Sequence, residues 1–145
     1  MAAHNTVLYR PCHAHPYLVN DIFRDEFGFG DGIIISDCND IPTLVSFRTA
    51  NNISEAAARA MKGGVDWDLQ CGSQSAYTEL QDALESGLID SETIDKAVNR
   101  SLMMKFAMGL FDNPNVSPDN IRVINSKAHQ DYPCFWCCRW RSQDI

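Results

Sequence analysis

Gly32-Ile33-Ile34-Ile35-Ser36-Asp37 is the stretch on which the reading of this chain turns. An unbroken run of small and apolar positions, without the alternation of a half-exposed strand, predicts a β-strand covered on both faces, as in a parallel α/β sheet. The strand ends in an acid. A carboxylate just past the carboxyl end of such a strand stands where α/β folds place their chemistry. An aspartate at that spacing also caps turns, so the pattern alone leaves both readings of Asp37 open.

Working outward, Leu18, Ile22, Phe23 and Phe27 recur at helical spacing and predict a helix over 16–27. Gly28-Phe29-Gly30-Asp31-Gly32 ends it. That cluster precedes its strand, whereas a phosphate-cradling glycine loop follows one, so it is not a dinucleotide fingerprint. Downstream, Ser54 reads as the cap of an Ala-rich helix over 55–62, which Gly63-Gly64 closes. Val65 to Leu69 is a second short strand. Helices over 77–86 and from Asp90 or Ser91 to about Met108 follow, the latter with Ile94, Val98, Leu102 and Phe106 on one apolar face. The Met103-Met104 pair reads as core filling. Helices alternating with strands imply βα units and a parallel sheet. Two strands cannot bury the faces of four helices, so the predicted fold is α/β and incomplete as a stand-alone domain.

Composition narrows the function. The 145 residues carry 12 Lys and Arg against 19 Asp and Glu, a net charge of −7, which argues against general nucleic-acid binding. No apolar run approaches the roughly 20 residues of a membrane span, and Met1-Ala2-Ala3-His4-Asn5 opens no signal peptide. Cys134, Cys137 and Cys138 crowd a tail over 131–145 that has neither helical nor strand period. With His129 they are the only zinc-like set, and the usual second ligand pair is missing. No metal site is assigned.

Pro11-Cys12-His13-Ala14, Arg24, Phe27-Gly28-Phe29 and the stretch Gly32 to Cys38 together resemble glycoside hydrolase family three, the exo-acting β-glucosidases and β-xylosidases. Further motifs follow in the same order: Glu55-Ala56-Ala57, Gly64-Val65-Asp66-Trp67-Asp68, Cys71-Gly72, Ile94 to Val98 and Lys105 to Asp112. The likeness runs over about residues 1–130. It implies a partial (β/α)8 TIM-like barrel: residues 1–114 as the last βα units of an N-terminal barrel, 115–130 as a linker and 131–145 as an atypical unstructured tail. A whole barrel takes roughly 250 residues.

The resemblance also implies a chemistry. Asp37 occupies the place of the catalytic nucleophile of a retaining glycosidase acting on an oligosaccharide or aryl β-glycoside. Such a reaction needs a second, protonated carboxyl about 5–5.5 Å away, and no cofactor. In the family that acid is a Glu of a following α/β domain; Glu79, Glu85 and Glu92 sit on solvated helix positions and do not replace it. Met1 to Thr6 resembles a barrel strand in which His4 stands where a Tyr usually contacts the nucleophile. Cys38 is similar to the β-xylosidase and α-arabinofuranosidase branch, and His4 and Cys38 are the candidate substrate-binding residues. A Cys38–Cys71 disulfide is conceivable if both lie at the carboxyl ends of neighbouring strands in an oxidising compartment; two buried thiols are the alternative. The expected function is hydrolysis of terminal β-glycosidic bonds by the parent enzyme, this chain being a fragment inactive alone. A non-catalytic remnant and a small module with a metal-binding tail are the rival readings. The Asn52-Ile53-Ser54 and Asn99-Arg100-Ser101 glycosylation motifs carry meaning only in a secreted parent, and the second falls inside a helix.

Overall fold

The computed structural model describes residues 1–72 and 74–130, and the tail over 131–145, with its cysteines, lies outside them. The chain divides into two units, Met1–Met108 and the part from Gly109 onward. In the first unit a two-stranded hairpin pairs β1 (Thr6–Val7) with β2 (Arg10–Pro11). A π-type helix covers Tyr17–Glu26, and the α-helices are α1 (Thr43–Ser46), α2 (Ile53–Lys62), α3 (Leu80–Glu85) and α4 (Ser91–Ala107). From Gly109 onward the described residues are almost wholly exposed and hold a short 3-10 helix, Pro118–Val123, and a helical turn over 127–130.

α2 is the centre of the first unit. It buries Ala56, Ala57, Ala58, Ala60 and Met61, because alanine combines the best helix propensity with the smallest side chain a neighbour must clear. One of its faces joins Val19, Ile34, Ile41, Leu44 and Val65 in the larger core; the other meets Ala83, Ile89 and Ala97. Its cap is Asn52, two residues ahead of the expected Ser54: Asn52 Oδ1 accepts the Glu55 N–H at 2.8 Å. The Glu55 carboxylate reaches back to the Asn51 N–H at 2.8 Å, so two helix-end donors are satisfied together. At the other end Gly64 turns the chain with φ +94°, and a Cβ there would lie 2.5 Å from both Val19 Cγ1 and Asn20 Oδ1. Only glycine fits that approach.

Three short parallel segments run beside this helix. Ala2 bridges to Ser36 and Ile35 to Trp67, both in parallel. The Ala2 N–H donates to Ile35 O at 2.8 Å and the Ser36 N–H to Trp67 O at 2.9 Å. The segment ending in Asp37 therefore lies between the other two, and a helix intervenes in sequence on each side, as a βα unit requires. Its burial differs from expectation. Ile34 and Ser36 are buried while Ile33, Ile35 and Asp37, on the opposite face by the strand period, are half-buried. Among the described residues the segment is closed fully on one side.

The π-type helix and α4 also depart from the sequence reading. Val19 and Arg24, five residues apart, form the buried face of the former, in keeping with its Phe27 N–H to Ile22 O bond of 2.9 Å. Phe23 and Phe27 instead lie exposed, Phe23 packing on both Phe27 and Phe29 with ring centroids 5.9 and 5.4 Å apart. In α4, Val98, Leu102, Met103 and Phe106 are 42–61% exposed, so of the expected apolar face only Ile94 packs against the core, and the Met103 side chain does not enter it. The helix is seated through Ala97, Arg100 and Ser101 instead, the last receiving the Trp67 Nε1–H at 2.7 Å.

Candidate active site

Asp37 ends the middle parallel segment with one oxygen held and one directed at a neighbour. Its Oδ1 accepts the Cys38 N–H at 2.6 Å, and its Oδ2 lies 3.8 Å from His4 Nε2. The carboxylate is about one-third exposed. Asp37 and His4 meet because adjacent parallel strands deliver their carboxyl ends to the same edge.

Behind them sits a buried acid that the sequence reading passed over. Asp40 is fully buried, with Oδ1 2.5 Å from His4 Nδ1 and Oδ2 3.0 Å from Nδ1 of the equally buried His13. Burial pushes the Asp40 carboxyl above its ordinary range and the two histidines pull it back. Burial pushes the His13 imidazole down, and Asp40 opposes that. The available signal was an acid in the turn directly after a strand, in a chain with three histidines near its start.

The loop after Asp37 is fastened to the third segment. Cys38 and Cys71 form a disulfide with Cα atoms 5.5 Å apart. Between them Asn39, held at φ +55°, donates from Nδ2 to Cys71 O at 3.0 Å and accepts the Cys71 N–H at 3.3 Å. The sulfur of Cys38 is thus committed to Cys71, and its contribution at Asp37 is its backbone N–H.

One layer deeper, Asp66 organises the elements that carry the site. Its Oδ2 accepts from Arg24 Nη2 at 2.7 Å and from the Ile34 N–H at 2.8 Å; its Oδ1 accepts from Arg100 Nε at 2.8 Å. Arg24 Nη1 also donates to the carbonyls of Gly30 and Gly32 at 2.7 and 2.6 Å, and Nη2 to that of Gly64 at 3.0 Å. A buried acid in an apolar strand requires such partners, and that was the sequence clue. Ser36 Oγ donates to Asp37 O at 2.9 Å and accepts the Leu69 N–H at 2.9 Å, which ties the strand end to the same frame.

Other acids stand apart in chemistry. Glu92 pairs with Lys96 at 2.7 Å and Glu85 accepts from Gln81 at 3.0 Å, both exposed. Glu79 lines an open cleft of about 800 Å³ together with Asn39, Asn52, Gln74 and Asp82. Among the described residues no group of three or more His, Cys, Asp or Glu is placed to hold a metal ion. Among them, too, no helix is long and apolar enough to cross a membrane.

Residues 1–104 match the model of the glycosyl hydrolase family 3 N-terminal domain. The chain belongs to that family. Among its family 3 relatives, the β-xylosidase of Formosa agariphila is 41% identical over 108 residues, covering 70% of this chain and 15% of the relative. The periplasmic β-glucosidase of Salmonella typhimurium is 34% identical over 130 residues, covering 88% and 17%. The solved β-glucosidase of Erythrobacter marinus superposes with a TM-score of 0.76 at 32% identity, over 88% of this chain and 17% of its own. That of Listeria innocua in complex with glucose gives 0.70 at 32%, over 81% and 16%. The chain thus spans about a sixth of the length of these family 3 proteins.

Proposed function

We propose that this chain is the nucleophile-bearing part of a retaining exo-β-glycosidase, with residues 1–114 forming the later βα units of its barrel and 115–130 a linker. The observation that carries the reading is the place of Asp37: at the carboxyl end of a parallel segment, partly open, one oxygen anchored and the other toward His4. The Cys38 N–H fixes the carboxylate, leaving Oδ2 to attack the anomeric carbon of a terminal β-linked glucosyl or xylosyl unit. As the Asp37 ester forms, the bond to the leaving oxygen breaks and an acid supplied from outside this chain protonates that oxygen; water then releases the sugar with its configuration retained. His4, set by Asp40, holds Asp37 in orientation and borders the sugar. Without the acid and the remaining sugar-binding groups the chain alone turns over no glycoside.

Exchanging residues 1–108 into the corresponding part of the Formosa agariphila β-xylosidase tests this. The chimera is expected to hydrolyse an aryl β-xyloside or β-glucoside, and Asp37→Asn to lower kcat by about 10³-fold or more. A 2-fluoro glycoside should leave its adduct on the peptide containing Asp37. Full activity in the Asp37→Asn chimera would sink the assignment. Turnover by the isolated chain, lost in Asp37→Asn, would keep the nucleophile and remove the claim of inactivity.

A further inference from the structure

The two asparagine motifs for N-linked glycosylation are treated in opposite ways by the fold. In Asn99-Arg100-Ser101 the two residues after the asparagine have structural work: Ser101 Oγ donates to Ala97 O at 2.9 Å and accepts from Trp67 Nε1 at 2.7 Å, and Arg100 holds Asp66. Asn99 lies in the interior of α4. The fold accounts for that motif without any modification.

Asn52-Ile53-Ser54 is different. Asn52 is exposed and extended, at φ −151° and ψ 175°, in the connection ahead of α2. Ser54 Oγ is buried and finds no hydrogen-bond partner among the described residues. A buried hydroxyl without a partner destabilises the fold, so alanine would serve the helix better. The described residues make no hydrogen bond with this hydroxyl, yet it stands two residues after an accessible asparagine, where asparagine-linked glycosylation requires it. A third observation concerns compartment: the Cys38–Cys71 disulfide belongs to an oxidising environment, the kind in which such glycans are added.

We propose that Asn52 is a site of N-linked glycosylation and that Asn99 is not. In the transfer, Nδ2 of Asn52 bonds to C1 of the first sugar of a polyprenyl-pyrophosphate-linked oligosaccharide. The C1–O bond to the pyrophosphate breaks, the lipid pyrophosphate leaves with that electron pair, and Nδ2 gives up one proton. The product suits the fold. The Asn52 cap uses Oδ1, which a glycosylated amide retains, so the bond from the Glu55 N–H survives. Asn52 also borders the open cleft lined by Asn39, Gln74, Thr78, Glu79 and Asp82, which gives the first sugar both room and hydrogen-bonding groups. The inference is independent of any role for Asp37.

The test uses the protein isolated from its own cells, and no folded sample is needed. Trypsin cuts after Arg48 and Arg59 and after Lys96 and Arg100, so the two motifs fall on separate peptides. The amidase that removes asparagine-linked glycans, acting in heavy-oxygen water, is expected to yield Thr49–Arg59 with a labelled aspartate at position 52. The same peptide without amidase should carry no label, and Ala97–Arg100 should stay unlabelled throughout. Recovery of Thr49–Arg59 with Asn52 intact and no label overturns the proposal, as does a label on Asn99.

Discussion

Asp66 and Asp40 are two buried carboxylates with opposite kinds of neighbour. Asp66 lies between two guanidinium groups and a backbone N–H, whereas Asp40 lies between two imidazoles. A guanidinium is a permanent cation with a rigid fork of donors; an imidazole gains and loses its charge near neutral pH. The first arrangement fixes architecture, joining the Tyr17–Glu26 helix, the Asp37 strand and α4. The second adjoins Asp37, so the permanent pairings hold the frame and the titratable ones sit beside the strand end.

The largest test of that contrast is Asp66→Ala. It strands Arg24 and Arg100 without their carboxylate, and breaking a buried ion pair from one side costs about 3–5 kcal/mol. A denaturant midpoint within a tenth of the parent's would deny Asp66 its organising role. Arg100→Met removes one arm and leaves Arg24 and the Ile34 N–H in place. Its expected cost is about 1–3 kcal/mol, read in the same unfolding experiment. A loss equal to that of Asp66→Ala would mean that the Arg24 arm contributes nothing.

Asp40→Asn sharpens the other side through pH. The folded chain holds the Asp40 carboxyl above its ordinary 3.8, so the folded state binds a proton that the unfolded state has lost. That contribution to stability falls as pH rises above 3.8. His13 is held below its ordinary 6.5, so the unfolded state binds the extra proton and that contribution rises with pH up to 6.5. Between the two values the contributions oppose each other. Asp40→Asn leaves His13 alone, so stability should climb with pH relative to the parent, by at most about 1.4 kcal/mol per unit. Parallel pH profiles for parent and variant would refute the pairing. The smallest effect is expected from His4→Ala. Removing one of the two imidazoles that pull Asp40 down should raise its carboxyl further, visible by carbon-13 NMR titration, with a change of about 1 kcal/mol or less in stability.

Sequence reading reached the elements whose signal is local. The acid-ended strand, the Ala-rich helix and the start of α4 at Asp90, whose Oδ1 accepts the Thr93 N–H at 2.7 Å, follow from runs, propensities and caps. It missed one local signal and what depends on distant partners. Asn52 and Ser54 are equally good caps by type, and the spacing of Glu55 three residues after Asn52, a signal that cap propensity alone overlooks, chooses between them. The Tyr17–Glu26 helix misled because a 3.6-residue period favours its phenylalanines, while its wider turn buries Val19 and Arg24. Asp66 was visible only as part of a motif, since its partners lie 42 and 34 residues away. Asp37 and His4 were legible as candidates, and their approach to 3.8 Å follows from strand order rather than from either residue.

The bond between Cys38 and Cys71 closes a ring over a separation of 33 residues, enclosing α1, α2 and the third parallel segment. A ring of that size removes conformations from the denatured chain worth roughly 3–4 kcal/mol. It also changes what counts as distant. Along the covalent path through the sulfurs, Ser36 and Trp67 become near neighbours, and their pairing no longer bears the entropy of closing a long loop. The closeness of the two strand ends beside Asp37 is thereby written into the bonding of the chain, and oxidised molecules keep that closeness even when unfolded.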